Sequence, residues 1–327
     1  MRTFIAVLVT LVSVTGVFAA GEPEAASPAS EAAVWPSDTI TIIVGVRAGG
    51  NQDLKARLLA RYLSEALDTP VVVENIPGAS GSLAAVNFLE GDPDPHVLYF
   101  TPLALLAMNP IYQDISYSAA DFQPVASFDT SQFGLFVRNG GQFETFDDLI
   151  AYGQDNLIQF GSNGPGAANY LYSLATFSLL DLQADTITHG NANQGLSNVV
   201  AGTTDVTFAA LNATAIGYVT EGELIPILTY ADSPVQVGDI VVPPAQDYGL
   251  DLAYSAYTYI SARAGIDPEI IDLIAQSIYS VYDDPEYQAE AERLQIVNLR
   301  DSREMIEGIV SRTGRQAREL HELITAN

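Results

Sequence analysis

The stretch Val46-Arg47-Ala48-Gly49-Gly50-Asn51-Gln52-Asp53 combines two glycines, one positive charge and two side-chain amides where an apolar strand gives way to an amphipathic helix. Glycines at such a junction let the backbone approach a ligand closely. The free amides of the first helical turn then present the positive end of the helix dipole to it. A carboxylate or a phosphate suits that arrangement. The same glycine pair also serves as a plain strand-to-helix turn, so the motif alone leaves both readings open. Arg47 is either the ion-pair partner of a ligand anion or the partner of a neighbouring acid. Asp53 either orders the loop by accepting its amides or binds a ligand ammonium group.

Two further polar loops have the same character. Gly161-Ser162-Asn163-Gly164-Pro165-Gly166, followed by Ala167, Ala168 and Asn169, opens a second helix, and His189-Gly190-Asn191-Ala192-Asn193-Gln194 opens a third. Ser162 and Asn163 offer hydrogen bonds or simply form turns, and Asn169 and Asn191 are further side-chain amides on these loops. His189, at a strand end, can donate to a carboxylate or serve as an ordinary surface or core residue. Between Arg138 and Arg263 there is no lysine or arginine. An anion held by this middle region must therefore be held by amides and hydroxyls, as helix N-termini and backbone nests do.

The elements that carry these loops alternate strand and helix, which points to an α/β fold with largely parallel sheets. Strands are expected at 39–44, 70–75, 97–101 (ending on Thr101), 133–137, 157–160, 184–188, 205–209 and 224–229. Helices follow near 54–67, 78–89, 145 onward, 169–182 and 213–221. In open α/β sheets ligands bind beyond the carboxyl ends of the strands, so the glycine-rich loops share one rim. Asp267-Pro268-Glu269 caps a long helix to about Tyr282, and Asp301 with Glu304 forms a second capping box before a terminal helix to about Leu323. These tail helices have no sheet of their own and are expected on the first α/β unit. The chain thus leaves that unit near 136 and returns near 255, giving lobe 1 (36–136 plus 255–327) and lobe 2 (137–254). Tyr257, on the return crossing, lines the cleft or packs in the core.

Residues 1–19 read as a cleavable signal peptide, with Arg2 before an apolar run and Val17-Phe18-Ala19 at the cleavage point. Residues 20–34 are small, polar and proline-rich, as a disordered leader is. With no cysteine, a lipid anchor, disulfides and thiol chemistry are excluded. The formal charge of −27 argues against nucleic acid or an anionic membrane as partner and suits a solvated, saline-tolerant surface. No metal-ligand spacing, nucleophile elbow, phosphate-loop lysine or dinucleotide fingerprint is present, so no cofactor is expected. A hydrolase built on scattered carboxylates is the rival class.

In order along the chain, Trp35-Pro36, Ile40 to Val44, Ala48-Gly49-Gly50 with Asp53, Val71-Val72-Val73-Glu74-Asn75, Pro77-Gly78-Ala79, Asn109-Pro110, Pro124-Val125-Ala126, Gly202 with Asp205, and Asp267-Pro268-Glu269-Ile270-Ile271 stand out. This set closely resembles the tripartite tricarboxylate transporter substrate-binding proteins, the Bug family, over residues 35–325. The resemblance implies a periplasmic, two-lobed binding protein of type II-like architecture, two open sheets joined by two crossings. It implies a monomer that closes over a small organic acid and delivers it to membrane permease subunits, and not an enzyme. Delivery to a sensor instead of a permease is left open. In the family the ligand carboxylate is held by the first Gly-Gly loop and by the equivalents of the 161–169 and 189–193 loops, which implicates Ala48, Gly49, Gly50, Asn51, Gln52, Asp53, Ser162, Asn163, Gly166, Ala167, Asn169, His189 and Asn191, with Tyr257 at a family aromatic position; Arg47, the one positive charge in a rim loop, and Thr101, at its strand end, join them as candidate site residues. The sequence departs from the family pattern at Arg47, Ile76, Ala167-Ala168-Asn169, His189-Gly190 and Ala209-Ala210, which leaves the identity of the anion open.

Overall fold

Residues 35–164, 167–189 and 192–325 are described by the structure, a computed structural model. The expected signal peptide and leader (1–34), Gly166 and Asn191 lie outside them. β1 (Ile40–Val44) is buried at every position but Thr41, because parallel neighbours flank it and helices cover both its faces. It leads to α1 (Asn51–Leu67), which buries Ala56, Leu58, Leu59, Tyr62 and Leu63 and leaves Leu54 exposed at its start. β2 (Val71–Asn75) follows. A short 3-10 turn at Ala79–Gly81 then opens α2 (Ser82–Phe88), where one longer helix was expected. Gly78, Ala79, Ser80 and Gly81 all have positive φ there, which no helix tolerates. β3 (Val97–Pro102), α3 (Leu103–Ala107) and α4 (Asn109–Tyr112) complete this run.

The expected strand at 133–137 is the end of a much longer one, β4 (Phe122–Arg138), of 17 residues. Beyond it come α5 (Phe146–Gly153), β5 (Ile158–Ser162), α6 (Ala168–Leu179), β6 (Ala184–Thr188), α7 (Ala192–Val200), β7 (Val206–Ala210), α8 (Ala213–Thr220) and β8 (Leu224–Thr229). The Thr145 and Asp148 capping box starts α5 as its spacing requires. A small hairpin, β9 (Val235–Val237) with β10 (Ile240–Val242), precedes the return strand β11 (Ser255–Arg263). The tail holds α9 (Pro268–Val281), α10 (Pro285–Arg293) and α11 (Arg303–Thr325).

The strands run in the order β2-β1-β3-β11-β4-β7-β5-β6, with β8 also on β4. β1 is parallel to β2 and β3, and β5 is parallel to β6 and β7. The contacts of β11 with β3 and β4, and of β4 with β7 and β8, are antiparallel. The arrangement is therefore mixed, not largely parallel, because the strands that carry the chain into and out of each half run against their neighbours. Two open α/β sheets result, joined where the chain crosses in β4 and returns into β11.

The switch on β4 is sharp. Gln132 is the last residue paired with β11, opposite Ser255, and Phe133 is the first paired with β7, opposite Ala210. Gly134 faces Thr229, the last residue of β8. The carboxyl ends of β7 and β8, and of β5 and β6 in parallel with β7, therefore point at the crossing from one side. Those of β1, β2 and β3 point at it from the other, since Pro102 lies beside Thr258 near the start of β11. Both sets of carboxyl ends are thus directed toward the crossing at residues 132–133.

One core lies between the first sheet and α1, α9 and α10, centred on Ile42, Leu59, Phe128, Ile271 and Tyr287. A second runs from Tyr99 and Leu106 through Ile306, Val310 and Ala317 of α11 to Tyr172, Phe208 and Tyr230, so it extends across both halves. Hence α11 does not pack on the first unit alone, as expected: it also touches α6, where Tyr172 Oη donates to Gln316 Oε1 at 3.2 Å. Nor does Asp301 cap it. Ser302 does, its Oγ accepting the Met305 amide at 3.2 Å, while Asp301 accepts the Tyr257 hydroxyl at 2.6 Å.

Candidate functional site

The first rim loop is built around a buried carboxylate. Gly49 has φ +81°, a conformation open to glycine, with nothing within 4 Å of the place a Cβ would take. Its amide donates to Asp53 Oδ2 at 2.8 Å, and the Gly50 amide donates to the Arg47 carbonyl at 3.3 Å. Asp53 also accepts from Arg57 Nε at 3.0 Å and from Asn75 Nδ2 at 2.9 Å, while Asn75 Nδ2 reaches the Val46 carbonyl at 3.1 Å. Arg57 closes the ring on Asn75 Oδ1 at 2.9 Å. One carboxylate thus folds the loop back on its own helix and pins both to the end of β2. Asn75 and Arg57 were not singled out as site residues. Their signal was the i,i+4 spacing of Asp53 and Arg57 beside the Asn at a strand end.

Burial pushes the pKa of Asp53 up, but the bonds from Arg57, the Gly49 amide and Asn75 outweigh it, and the net shift is downward. With Asp53 engaged, the groups that face outward are the start of α1 and Arg47. Gly50 is the N-cap and no side chain caps it; the one acidic side chain of the first turn, Asp53, is paired with Arg57, and the first-turn amides from Asn51 onward remain as donors at the start of a 17-residue helix. Arg47 is exposed, and among the described residues no acidic side chain pairs with it.

Across the crossing the polar side chains hold one another. Asn169 Nδ2 donates to Asn163 Oδ1 at 2.7 Å, and Asn169 Oδ1 accepts the Asn163 amide at 3.1 Å. Asn163 Nδ2 reaches the His189 carbonyl at 3.3 Å, and the His189 amide donates to the Ser162 carbonyl at 2.8 Å. Ser162 is fully buried, its Oγ bonded to Thr186 Oγ1 at 2.7 Å and accepting the Gly164 amide at 3.0 Å. These residues tie the 161–169 loop to the 189 loop. What they leave for a ligand is the start of α6, where Ala167 is an N-cap that offers no side-chain bond.

The His189 ring is buried and turned into the body of the sheet. A Cβ on Gly195 would lie 2.6 Å from its Nε2, and one on Gly161 would lie 3.3 Å from its Cδ2. Two glycines thus make the slot the imidazole fills. Thr101 and Tyr257 are likewise interior: Thr101 Oγ1 is bonded to Ser261 Oγ and Tyr257 Oη to Asp301. Burial, then the Asp301 bond, pushes the Tyr257 hydroxyl far above its ordinary range. The structure thus gathers residues 47–53 at one rim and Ser162, Asn163, Ala167, Asn169 and His189 at the other, and keeps Thr101 and Tyr257 within the first sheet.

Two α/β sheets joined by a strand crossing are the architecture of solved periplasmic binding proteins such as BugD, to which the chain is 20% identical at TM-score 0.71. More narrowly, residues 55–316 match the tripartite tricarboxylate transporter family receptor, and the chain belongs to that family. It is 26% identical over 257 residues to a UPF0065 protein of Agrobacterium vitis, covering 77% of this chain and 73% of that one. To the protein BugT of Bordetella pertussis it is 26% identical over 281 residues, covering 82% and 83%. Among solved structures it resembles MatC of Rhodopseudomonas palustris with bound malate, at TM-score 0.71 and 22% identity over 88% of this chain and 99% of that one. It also resembles an R. palustris protein solved with adipate, at TM-score 0.75 and 18% identity over 89% and 99%. Receptors of this family are periplasmic and bind solutes.

Because the folded-state pKa of Asp53 lies below its ordinary value, its contribution to stability is present above about pH 4 and is lost as the pH falls through the depressed value. Asp53→Asn should therefore cost about 1 to 3 kcal/mol at neutral pH, and the deficit against the parent should shrink in acid. Urea unfolding at several pH values measures this; a deficit independent of pH would show that the charge of Asp53 does not hold the loop.

Proposed function

We propose that this chain is an extracytoplasmic receptor, exported by residues 1–19, that closes lobes 36–136 plus 255–327 and 137–254 over a small organic anion and delivers it to a tripartite tricarboxylate-type membrane permease. The observation that carries this reading is the uncapped start of α1 with the exposed Arg47 on its approach, which no acid among the described residues pairs, at the carboxyl end of β1. A guanidinium and a helix start together favour a carboxylate. The opposite rim has no basic side chain between Arg138 and Arg263, and the uncapped start of α6 supplies neutral donors there. The malate and adipate in the two similar structures support a dicarboxylate, one carboxyl group for each rim. Asp53, Asn75, Asn163, Asn169 and His189 hold the loops in shape, and Thr101 and Tyr257 support the sheet behind them.

A thermal-shift screen of four- to six-carbon dicarboxylates against neutral solutes tests the class of ligand, since a ligand at 100 times its dissociation constant adds about 2.7 kcal/mol to stability. Arg47→Ala should melt as the parent does without ligand and lose about 1.5 to 3 kcal/mol of binding in calorimetry. A shift with neutral solutes alone, or undiminished affinity in the variant, would remove the anion or Arg47 from the account.

The second grip has its own test. Ala167 has φ −92° and ψ 146°, a conformation that accepts a following proline, and Ala168 is the first helical residue of α6, where proline is well tolerated. Ala168→Pro should leave the melting temperature unchanged while removing one amide, and should weaken dicarboxylate binding by about 1.5 to 3 kcal/mol. Parent-like affinity would mean that the start of α6 does not contact the ligand.

A further inference from the structure

Lys55 is the only lysine in the chain, and it is not on the surface. It lies in the second turn of α1 with 5% of its surface exposed, and its ammonium meets the carboxylate of Asp129 on β4, itself 4% exposed. Burying two charges removes both from water, and an apolar pair of similar volume is often as stable or more so. The neighbours Ala56, Leu58 and Leu59 pack on the same core without any charge. What a charged pair adds over apolar packing is direction, because a hydrophobic face can slide or turn against its partner and an ion pair with a fixed acceptor cannot.

Asp129 is held in turn. Its Oδ1 accepts the Val297 amide at 2.8 Å, and it forms an isolated bridge with Asn298. The register of β4 against β11 slips here: Asp129 faces Thr258 and Ser127 faces Tyr259, which leaves Phe128 unopposed. The Phe128 carbonyl instead accepts the Leu299 amide at 3.3 Å and Asn298 Nδ2 at 3.2 Å. A bulge of this kind fixes a local bend and re-aims the side chains beside it. It lies just before Gln132 and Phe133, where β4 passes from one sheet to the other. The first two turns of α1 are therefore anchored at two places, by Asp53 to Asn75 on β2 and by Lys55 to Asp129 on β4.

We infer that Lys55 and Asp129 are positioning residues: their buried ion pair locks the helix that carries the anion cradle to the strand that crosses between the sheets. The first-turn amides then keep one orientation toward the opposite rim. This inference rests on the cradle proposed above. Two anchors on different strands fix both the axial position and the rotation of α1, and the pair at β4 is the one that refers the cradle to the crossing.

The test replaces the pair by apolar residues, Lys55→Met with Asp129→Leu, in the full mature protein. Three readouts are taken: melting temperature, calorimetric affinity for malate and adipate, and hydrogen exchange at the amides of Gly49 and Leu54, which donate to Asp53 and to the Gly50 carbonyl. The expected result is melting close to that of the parent, faster exchange at both amides, and affinity lower by about tenfold, the loss of geometry at one charge-assisted hydrogen bond. If this double variant melts far below the parent, Lys55→Met with Asp129→Asn, which keeps an acceptor for Val297, is read in the same way. Parent-like exchange at Gly49 and Leu54 in a stably folded variant overturns the inference whatever the ligand result. If the parent itself binds no dicarboxylate, the cradle reading fails, while the exchange result still decides whether the pair positions α1.

Discussion

The single strand β4 is the constraint on which the rest of this molecule depends. Its first part pairs with β11 and its last part with β7 and β8, and the change of partner takes one peptide, from Gln132 to Phe133. Because β4 is antiparallel to β7 and β8, the strands of the second half must end where β4 enters it. Because β11 is antiparallel to β3, the strands of the first half must end there too. The facing of two loop-bearing rims is thus a consequence of strand direction. It would hold for any loop sequences placed on these ends. α11 and the long aromatic core that runs with it tie the two halves together.

Within that frame an acidic protein still presents a favourable place for an anion. A net charge of −27 repels a carboxylate at long range, yet screening confines that repulsion to about 8 Å at physiological ionic strength. Contact is governed by what lies within hydrogen-bonding distance. At the first rim the local carboxylate, Asp53, is buried and neutralised by Arg57, Asn75 and a loop amide, so it does not oppose an incoming anion. The side chains that looked most ligand-like at the second rim are bonded to each other, which leaves the helix start. Backbone donors suit this task because their positions are fixed by the fold and need no ordering on binding.

Much of this was legible in the residues. The β-branched run before Gly49-Gly50, the Thr145 and Asp148 box and the Asp267-Pro268 start each combine a local propensity with a specific cap, and each formed as its pattern requires. The same Asp-Pro signature at Asp284-Pro285 opens α10. What was not legible depends on contacts distant in sequence. Nothing local marks β4 as one strand, because its two parts answer to different partners. Asp301 looked like a cap, yet its carboxylate is taken by Tyr257, 44 residues away, and Ser302 caps instead. His189 looked like a donor at a strand end until Gly161 and Gly195 are seen to make room for its ring. Lys55 sits on the buried face of an amphipathic helix, where its charge reads as a break in the stripe unless Asp129 is known to lie opposite.

The central claim is that an organic anion is gripped by the uncapped start of α1 and by Arg47, with the start of α6 completing the site from the other half. A crystal structure of the protein with a dicarboxylate bound tests it most directly. The account predicts one carboxylate within about 3 Å of the first-turn amides of α1 and of the Arg47 guanidinium, and the second directed at the amides of Ala168 and Asn169. A dicarboxylate seated instead in the groove beside α11, among Thr130, Tyr257 and Arg312, with the rim loops unoccupied, would contradict it.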